Sequence, residues 1–418
     1  MNSFYHMSKQ LRIIYALGPE NVIDSYKSWR KGEDTSSQVS MTYSGQFYEV
    51  CKSLDAKGYV IAESFAAEII KDKNFIVERR PLFFANGSGI FYHLRQLLRG
   101  LQLLTVAIRF RANVAFFASG TTYWFVLLLF DWIGIKVIPC LHCTLWRKYR
   151  EQTFGERIIL KLSRSLFQSS CHSIHVVSRD IAEQVAKLTE YRSQSIYEFN
   201  PTYRRGYFDN IAPPPKRSFQ VTTEKKECSK ELSAFRVLFV GRIEFDKGVF
   251  DLLEVARKIS KQGIKDIIFD ICGSGTALAS LRQNVMQDSL DRFFIFHGYC
   301  NKQQMQEIFG KAHIVIVPTR SDFIEGFNRA VAESILSGRP VVTSAVCPAL
   351  SYVRPAAVEV PPDNPEAYAQ AIVELYSNSR TYEQKRLACL KLQQQFYDVN
   401  RSWGAALKSS LLSIQQEF

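Results

Sequence analysis

Short apolar runs alternate with segments of helical spacing along this 418-residue chain, and polar loops punctuate them. Residues 11–17 read as a strand closing at Gly18-Pro19, and the polar, Ser- and Asp-containing stretch that follows to about Thr42 reads as a loop. Next come a helix over 45–56, strands over 59–62 and 81–85, a helix over 90–109 and a strand over 114–118. A mostly apolar helix over 121–132, a strand over 136–141, a strand over 173–178 and a helix over 180–188 complete this part. Strands alternating with helices predict an α/β unit with a parallel sheet.

The alternation fades near Asn200-Pro201. The run APPPKRS at 212–218 excludes helix and central strand, so residues 206–234 read as a linker. Alternation then resumes, with strands over 236–240, 266–272, 293–296, 313–317 and 341–343. Helices are expected over 248–262, 277–287, 302–309, 328–337 and 365–378, and a helical end over 382–418 carries Phe396, Tyr397 and Trp403 as docking residues. The expected organisation is a first Rossmann-like domain over 1–205, the linker, a second over 235–395, and a terminal helix over 396–418 returning to the first. In open α/β sheets ligands bind beyond the carboxyl ends of the strands, so the chemistry is expected in loops that follow strands.

Composition narrows the field. Hydrophobic residues make up 46% of the chain and aromatics 13%, enough for sizeable cores. The longest apolar piece, residues 123–130, is too short to span a bilayer, and residues 1–10 show no secretory pattern. Nine scattered cysteines suit a reducing, cytoplasmic compartment rather than a disulfide framework. Cys140 and Cys143, with Cys171-His172, have part of a metal-site spacing, but no second Cys pair completes it, and no metal is expected. A net charge of +13 attracts anions. No nucleic-acid motif accompanies it. Residues 145–165 mix Arg147, Lys148, Arg150, Arg157, Lys161 and Arg164 with Trp146, Phe154, Ile158, Ile159 and Leu160. Two readings fit that mixture: a peripheral helix on an anionic membrane, or an ordinary amphipathic helix with a solvated basic face.

Three pieces of the second half carry candidate chemistry. In VLFVGRIEFDKG, a strand ends at Gly241, Arg242 and Lys247 follow in the loop, and Gly248 opens a helix. Two fixed cations beside a helix start suit a diphosphate; the alternative is two solvated loop charges. In FIEGFNRAVAESILSGRP, Glu325 and Glu333 stand eight residues apart, the first in a turn and the second inside a helix. A carboxylate can accept two hydrogen bonds from a sugar or ribose diol. Backbone amides of Gly326, Phe327 and Asn328 lie at the helix start. The alternatives are a capping carboxylate for Glu325 and a solvent-facing charge for Glu333. The third piece is the turn Gly273-Ser274-Gly275 after a strand, with Tyr299 at the next strand end, placed to flank a base or to pack on the surface. In the first half His142 closes a strand, as a ligand for a hydroxyl or phosphate or as a structural histidine.

Together these pieces resemble the retaining glycosyltransferases of family 4 (glycosyl transferases group 1), which have the GT-B architecture of two Rossmann-like doubly wound domains facing across a cleft. The likeness is strongest over residues 236–345, where Glu325 and Glu333 match the family's E-x7-E signature. The resemblance implies that Glu325 approaches the donor sugar and Glu333 the ribose. It gives Arg242 and Lys247, beside Gly241, to the donor diphosphate, and sets Gly273, Gly275 and Tyr299 beside the nucleotide. Gly326, Phe327 and Asn328 fall near the sugar and phosphates. In the first half, Ser44-Gly45 and the helix after it resemble the family's glycine-pair loop, with Ser44 standing for the first glycine. His142 matches the family's histidine near the cleft.

The resemblance implies a UDP-sugar or GDP-sugar donor, no tightly bound cofactor, and a glycan or lipid-linked acceptor in polysaccharide or glycoconjugate assembly. It also implies transfer without a protein nucleophile. Rival readings are an epimerase of the same fold and a non-catalytic nucleotide-sugar-binding protein. A nicotinamide dehydrogenase is disfavoured because no G-x-G-x-x-G follows the first strand.

Overall fold

The computed structural model describes residues 10–33, 39–81, 89–215 and 234–417. They form two compact units. One holds the chain up to Trp146, Gln152–Thr202 and the segment from Asp398 onward; the other holds Arg147–Glu151 and Tyr203–Tyr397.

The first unit begins with strand β1 (Arg12–Pro19), helices α1 (Val22–Lys31) and α2 (Tyr43–Ser53), and strands β2 (Lys57–Ser64), β3 (Glu68–Lys71) and β4 (Phe75–Pro81). Helix α3 (Ile90–Phe110), strand β5 (Val114–Ala118), a 3-10 turn (Trp124–Leu127), α4 (Leu128–Trp132) and β6 (Lys136–Leu141) follow. Helix α5 (Phe154–Ser165), β7 (Ile174–Val176), α6 (Arg179–Leu188) and β8 (Ile196–Glu198) complete its first passage. The strands lie in the order β3-β4-β2-β1-β5-β6-β7-β8, parallel throughout except for β3, which runs antiparallel to β4 at the edge.

The second unit starts with the short helix α7 (Arg205–Asp209). It continues through β9 (Phe235–Val240), α8 (Val249–Lys261), β10 (Ile267–Cys272), α9 (Leu278–Gln287), β11 (Phe294–Gly298), α10 (Lys302–Lys311) and β12 (Ile314–Val317). Then come α11 (Arg329–Leu336), β13 (Val341–Ser344), α12 (Leu350–Val353), β14 (Ala357–Val360), α13 (Pro365–Ser377), α14 (Ser379–Leu392) and α15 (Gln394–Tyr397). Its six strands are all parallel, in the order β11-β10-β9-β12-β13-β14. The strands are apolar on both faces because helices cover both, which is why they read as continuous hydrophobic runs. The core joins Val237, Phe269 and Ile316 of the sheet to Leu252, Ile259 and Ile372 of the helices.

Several expectations need correction. The stretch expected as a loop up to Thr42 contains α1. Asn21 caps it by accepting the Asp24 amide at 3.3 Å, Gly32 ends it in the left-handed region, and Val22, Ile23 and Tyr26 form its buried side. Its many polar residues hide that stripe in the sequence. The strand expected at 81–85 lies earlier, as β4, and residues 82–85 fall outside the described residues. Glu78 in its middle disguises it; this buried carboxylate accepts hydrogen bonds from Tyr59 and Arg80. The helix expected over 121–132 divides into the 3-10 turn and α4. The linker expected over 206–234 includes α7, and the carbonyl of Ala212 accepts 2.6 Å from the buried guanidinium of Arg339, so these residues are packed structure; 216–233 lie outside the described residues. The helical end expected over 382–418 is broken at Asp398, after α15, and resumes as α16 (Trp403–Glu417) in the first unit.

Helix α16 is tied into the first unit by side chains of unlike kinds. The Trp403 ring is fully buried and stacks on Tyr15 of β1 at 5.1 Å, with Tyr43 and Phe116 edge-on. Gln46 of α2 accepts from the Gly404 amide at 2.7 Å, and Ser410 bonds His175 of β7 at 2.8 Å. Replacing Trp403 with Ala opens a ring-sized cavity and is expected to cost the first unit about 3–5 kcal/mol. Urea unfolding of the full chain measures it as an early transition of the first unit; an unchanged profile refutes the docking role.

Candidate functional site

Because every strand of the second sheet points the same way, its carboxyl ends deliver one set of loops to one edge. The loop after β9 carries Gly241, Arg242 and Lys247, and the loop after β12 carries Thr319, Phe323 and Glu325. The structure brings these together. Lys247 Nζ lies 2.8 Å from Glu325 Oε2, with both side chains largely withdrawn from solvent. The same ammonium sits 3.7 Å from the centre of the Phe323 ring, and the Arg242 guanidinium lies 5.8 Å from that ring. An aromatic ring thus lies against both cations beside a carboxylate.

Glu325 is buried and saturated with donors. Besides Lys247, its Oε2 accepts from Thr319 Oγ1 at 3.0 Å and Asn328 Nδ2 at 3.1 Å, and its Oε1 accepts from the Gly326 amide at 3.2 Å. Asn328 also caps α11 by accepting from the Ala330 amide at 3.1 Å. One side chain therefore sets both the helix start and the carboxylate. Phe327 turns its ring into the core against Tyr352 and Phe396, at 5.3 and 6.0 Å, so only its backbone remains as a site group.

Glu333 lies one turn before the end of α11, with the Tyr203 hydroxyl 3.5 Å from its Oε1. Burial raises its pKa to about 7, against the lowering pull of Arg329 and the Tyr203 hydroxyl. This is not a solvent-facing helix charge. Tyr299 extends from the end of β11 with 71% of its surface exposed, a free ring at the strand-end rim.

The glycines of this edge serve packing between loops. Gly248 has φ of +74°, and a Cβ there would lie 2.0 Å from the Pro318 carbonyl oxygen. Gly273 has φ of +139°, and its Cβ would fall 1.8 Å from the Gly241 carbonyl oxygen. Gly275 lies against the backbone of Ile243. The Gly241 amide donates to the Cys272 carbonyl at 3.1 Å and the Gly273 amide to the Gly298 carbonyl at 2.7 Å. These amides are engaged within the protein, so Gly241 and Gly273 position the Arg242 loop through backbone packing.

In the first unit Ser44 and Gly45 open α2, but their polar groups face inward. The Ser44 hydroxyl donates to Glu20 at 2.9 Å, and the Gly45 amide donates to the capping Thr42 hydroxyl at 3.0 Å. His142, just past β6, is different. Its ring lies 4.6 Å from Tyr43 and 5.8 Å from Phe199, and both ring nitrogens are buried without a hydrogen-bond partner. Burial lowers its pKa to about 4, so the ring is neutral at ordinary pH.

Sequence reasoning missed Thr319, Phe323 and Tyr203. Thr319 and Phe323 had a legible signal, since both fall in the loop after a strand and within six residues of Glu325. Tyr203 meets Glu333 from far along the chain, and no local pattern marks it.

Two parallel, doubly wound α/β units, with convergent charge at the strand ends of the second, define the GT-B fold. Solved structures show the same architecture at low identity. HepE of Anabaena, in complex with UDP, superposes with a TM-score of 0.63 at 12% identity, over 98% of this chain and all of that one. The sucrose-phosphate synthase of Thermosynechococcus elongatus does so with a TM-score of 0.64 at 14% identity, over 98% of this chain and 99% of that one. Residues 220–389 match the family model of glycosyl transferases group 1. An uncharacterized glycosyltransferase of Methanocaldococcus jannaschii is 24% identical over 212 residues, which are 50% of this chain and 52% of that protein. The chain thus spans about half the length of this curated relative.

Gly273→Ala tests the loop packing. Steric conflict with the Gly241 backbone and an unfavourable φ are expected to cost on the order of 3 kcal/mol. Urea unfolding checks this, and a neutral substitution would show that the two loops are not in register as described.

Proposed function

We propose that this chain is a retaining glycosyltransferase that moves a sugar from a nucleoside diphosphate sugar to a hydroxyl of a glycan or lipid-linked acceptor. The observation that carries this reading is the convergence of Arg242, Lys247 and the buried Glu325 carboxylate at one set of strand ends. The family match over the same residues and the UDP complex of HepE support a nucleotide-sugar donor.

On this reading the two cations hold the diphosphate and stabilise the charge that grows on it as the bond to the anomeric carbon breaks. Lys247 exchanges part of its bond to Glu325 for the phosphate. Glu325, held by Thr319 and Asn328, orients the transferred sugar. Glu333 accepts hydrogen bonds from the ribose hydroxyls, and the exposed Tyr299 ring lies beside the base. The acceptor hydroxyl attacks from the face that the leaving group vacates and passes its proton to a donor phosphate oxygen, so no protein nucleophile takes part. His142, neutral and with two unpartnered nitrogens, is kept for a substrate hydroxyl. The enzyme works in the cytoplasm, at the surface of a membrane.

Binding and slow hydrolysis across a panel of UDP- and GDP-sugars test the proposal. The wild type is expected to turn over one donor selectively, and Glu325→Gln, which keeps the shape of the side chain, to lose on the order of a hundredfold or more. A folded protein that binds no nucleotide sugar removes the transferase reading and the diphosphate site with it.

The raised pKa of Glu333 adds a pH signature. The ribose diol needs the carboxylate as acceptor, so UDP or GDP affinity should rise with pH through about 7 and fall about tenfold per unit well below it. Calorimetric titration between pH 5.5 and 8.5 (roughly the range that brackets such a group) measures the slope. Glu333→Gln should flatten it, and an equal slope in that variant would assign the titration elsewhere.

A further inference from the structure

Two helices of the first unit turn large apolar side chains outward. On α3, Ile90, Leu94, Leu97 and Leu101 recur at three- and four-residue intervals and Ile108 follows seven residues on, so they share one stripe, and all are exposed. The opposite side of the helix holds it down. Gly100 lies so close to Thr122 and Val126 that a Cβ would meet them at 2.7 and 2.5 Å, and Leu103 and Ala107 are buried. On α5 the inward side is Leu160 and Ser163, whereas Phe154, Ile158 and Leu162 face out, Phe154 with 76% of its surface exposed. An ordinary amphipathic helix buries such residues. Both helices pack against the same 3-10 turn, Trp124–Leu127, and α4, which continues that turn, ends in exposed Trp132 and Ile133.

The outer faces of the two long helices are basic, while α4 carries Asp131 beside Trp132. Helix α3 has no acidic residue among its 21. Arg157 and Lys161 form an exposed row beside the apolar row of α5, and neither that row nor the outer stripe of α3 carries a carboxylate. Arg109 adds an exposed cation near the end of α3.

We propose that the outer faces of α3 and α5, with the tip of α4, form a docking surface for an anionic lipid bilayer, with α3 supplying most of the apolar area. Leu97, Leu101, Phe154 and Trp132 enter the acyl boundary, and Arg157 and Lys161 meet lipid phosphates. A second copy of the chain fits less well, because a two-fold contact over this face would set like charges against each other. The proposal deepens the membrane-surface reading above, and its test does not depend on the sugar donor.

Sedimentation with phosphatidylglycerol–phosphatidylcholine vesicles and with pure phosphatidylcholine vesicles provides the test, using the full chain. Binding to the anionic vesicles that weakens with added salt is expected. Leu97→Gln with Leu101→Gln should lower the partition by about tenfold or more. Arg157→Gln and Lys161→Gln should each lower it by about fivefold. These positions are exposed, so thermal unfolding should not change, and hydrolysis of a soluble nucleotide sugar should persist in all of them. Absence of wild-type binding to anionic vesicles overturns the proposal. So does a wild-type dimer that the paired leucine variant dissociates while vesicle binding is absent, which would assign the face to self-association. Retained binding in every variant would place the membrane contact elsewhere and overturn it equally. Loss of hydrolysis alone, with vesicle binding intact, would count against the transferase reading and leave this surface standing.

Discussion

The Glu325 carboxylate is a buried charge, and a buried charge persists only where donors replace the water it has lost. Its partners come from three directions: Lys247 from the loop after β9, Thr319 from the end of β12, and Asn328 with the Gly326 amide from the start of α11. Each partner constrains its own backbone segment, so the carboxylate acts as a joint between two strand ends and a helix. The glycine contacts at Gly248 and Gly273 lock the same loops from the other side. The strand-end edge of the second unit is therefore over-determined, which keeps an interior lysine and carboxylate in one fixed geometry.

The second unit was the more legible in sequence, and the reason is physical. A parallel sheet covered on both faces demands unbroken apolar strands, and 236–240, 266–272 and 313–317 show them plainly. The order of strand, cationic loop and helix likewise exposed Arg242 and Lys247. What sequence reasoning missed depends on distant partners. α1 is a helix whose buried stripe is short and interrupted by polar residues, and β4 carries Glu78, tolerable only because Tyr59 and Arg80 meet it. Tyr203 meets Glu333 only through the fold, from far along the chain. Gly248, Gly273 and Gly275 have the backbone of adjacent loops as their nearest neighbours, a constraint invisible in the sequence.

The two units divide their polar groups differently. At the start of α2 in the first unit, Thr42 and Glu20 engage the Gly45 amide and the Ser44 hydroxyl. His142 alone among its candidates keeps unpartnered nitrogens. In the second unit, Arg242 and Tyr299 are exposed at the strand ends, and Lys247 meets a saturated carboxylate. The proposed donor chemistry thus draws on the second unit.

The return of α16 bears on how the chain is made. The second unit is nearly continuous, from Tyr203 to Tyr397, so its core can close as soon as that stretch has been synthesised. The first unit cannot close its core then. The slot beside Tyr15 and Phe116 that takes the Trp403 ring stays open until Trp403 itself emerges from the ribosome. Through the synthesis of roughly two hundred further residues, about ten seconds or more at ordinary rates, an aromatic-lined groove faces water. The nascent chain therefore presents an exposed apolar seam to chaperones while the second unit is made, and a ribosome that stalls within the second unit leaves a first unit with that seam still open.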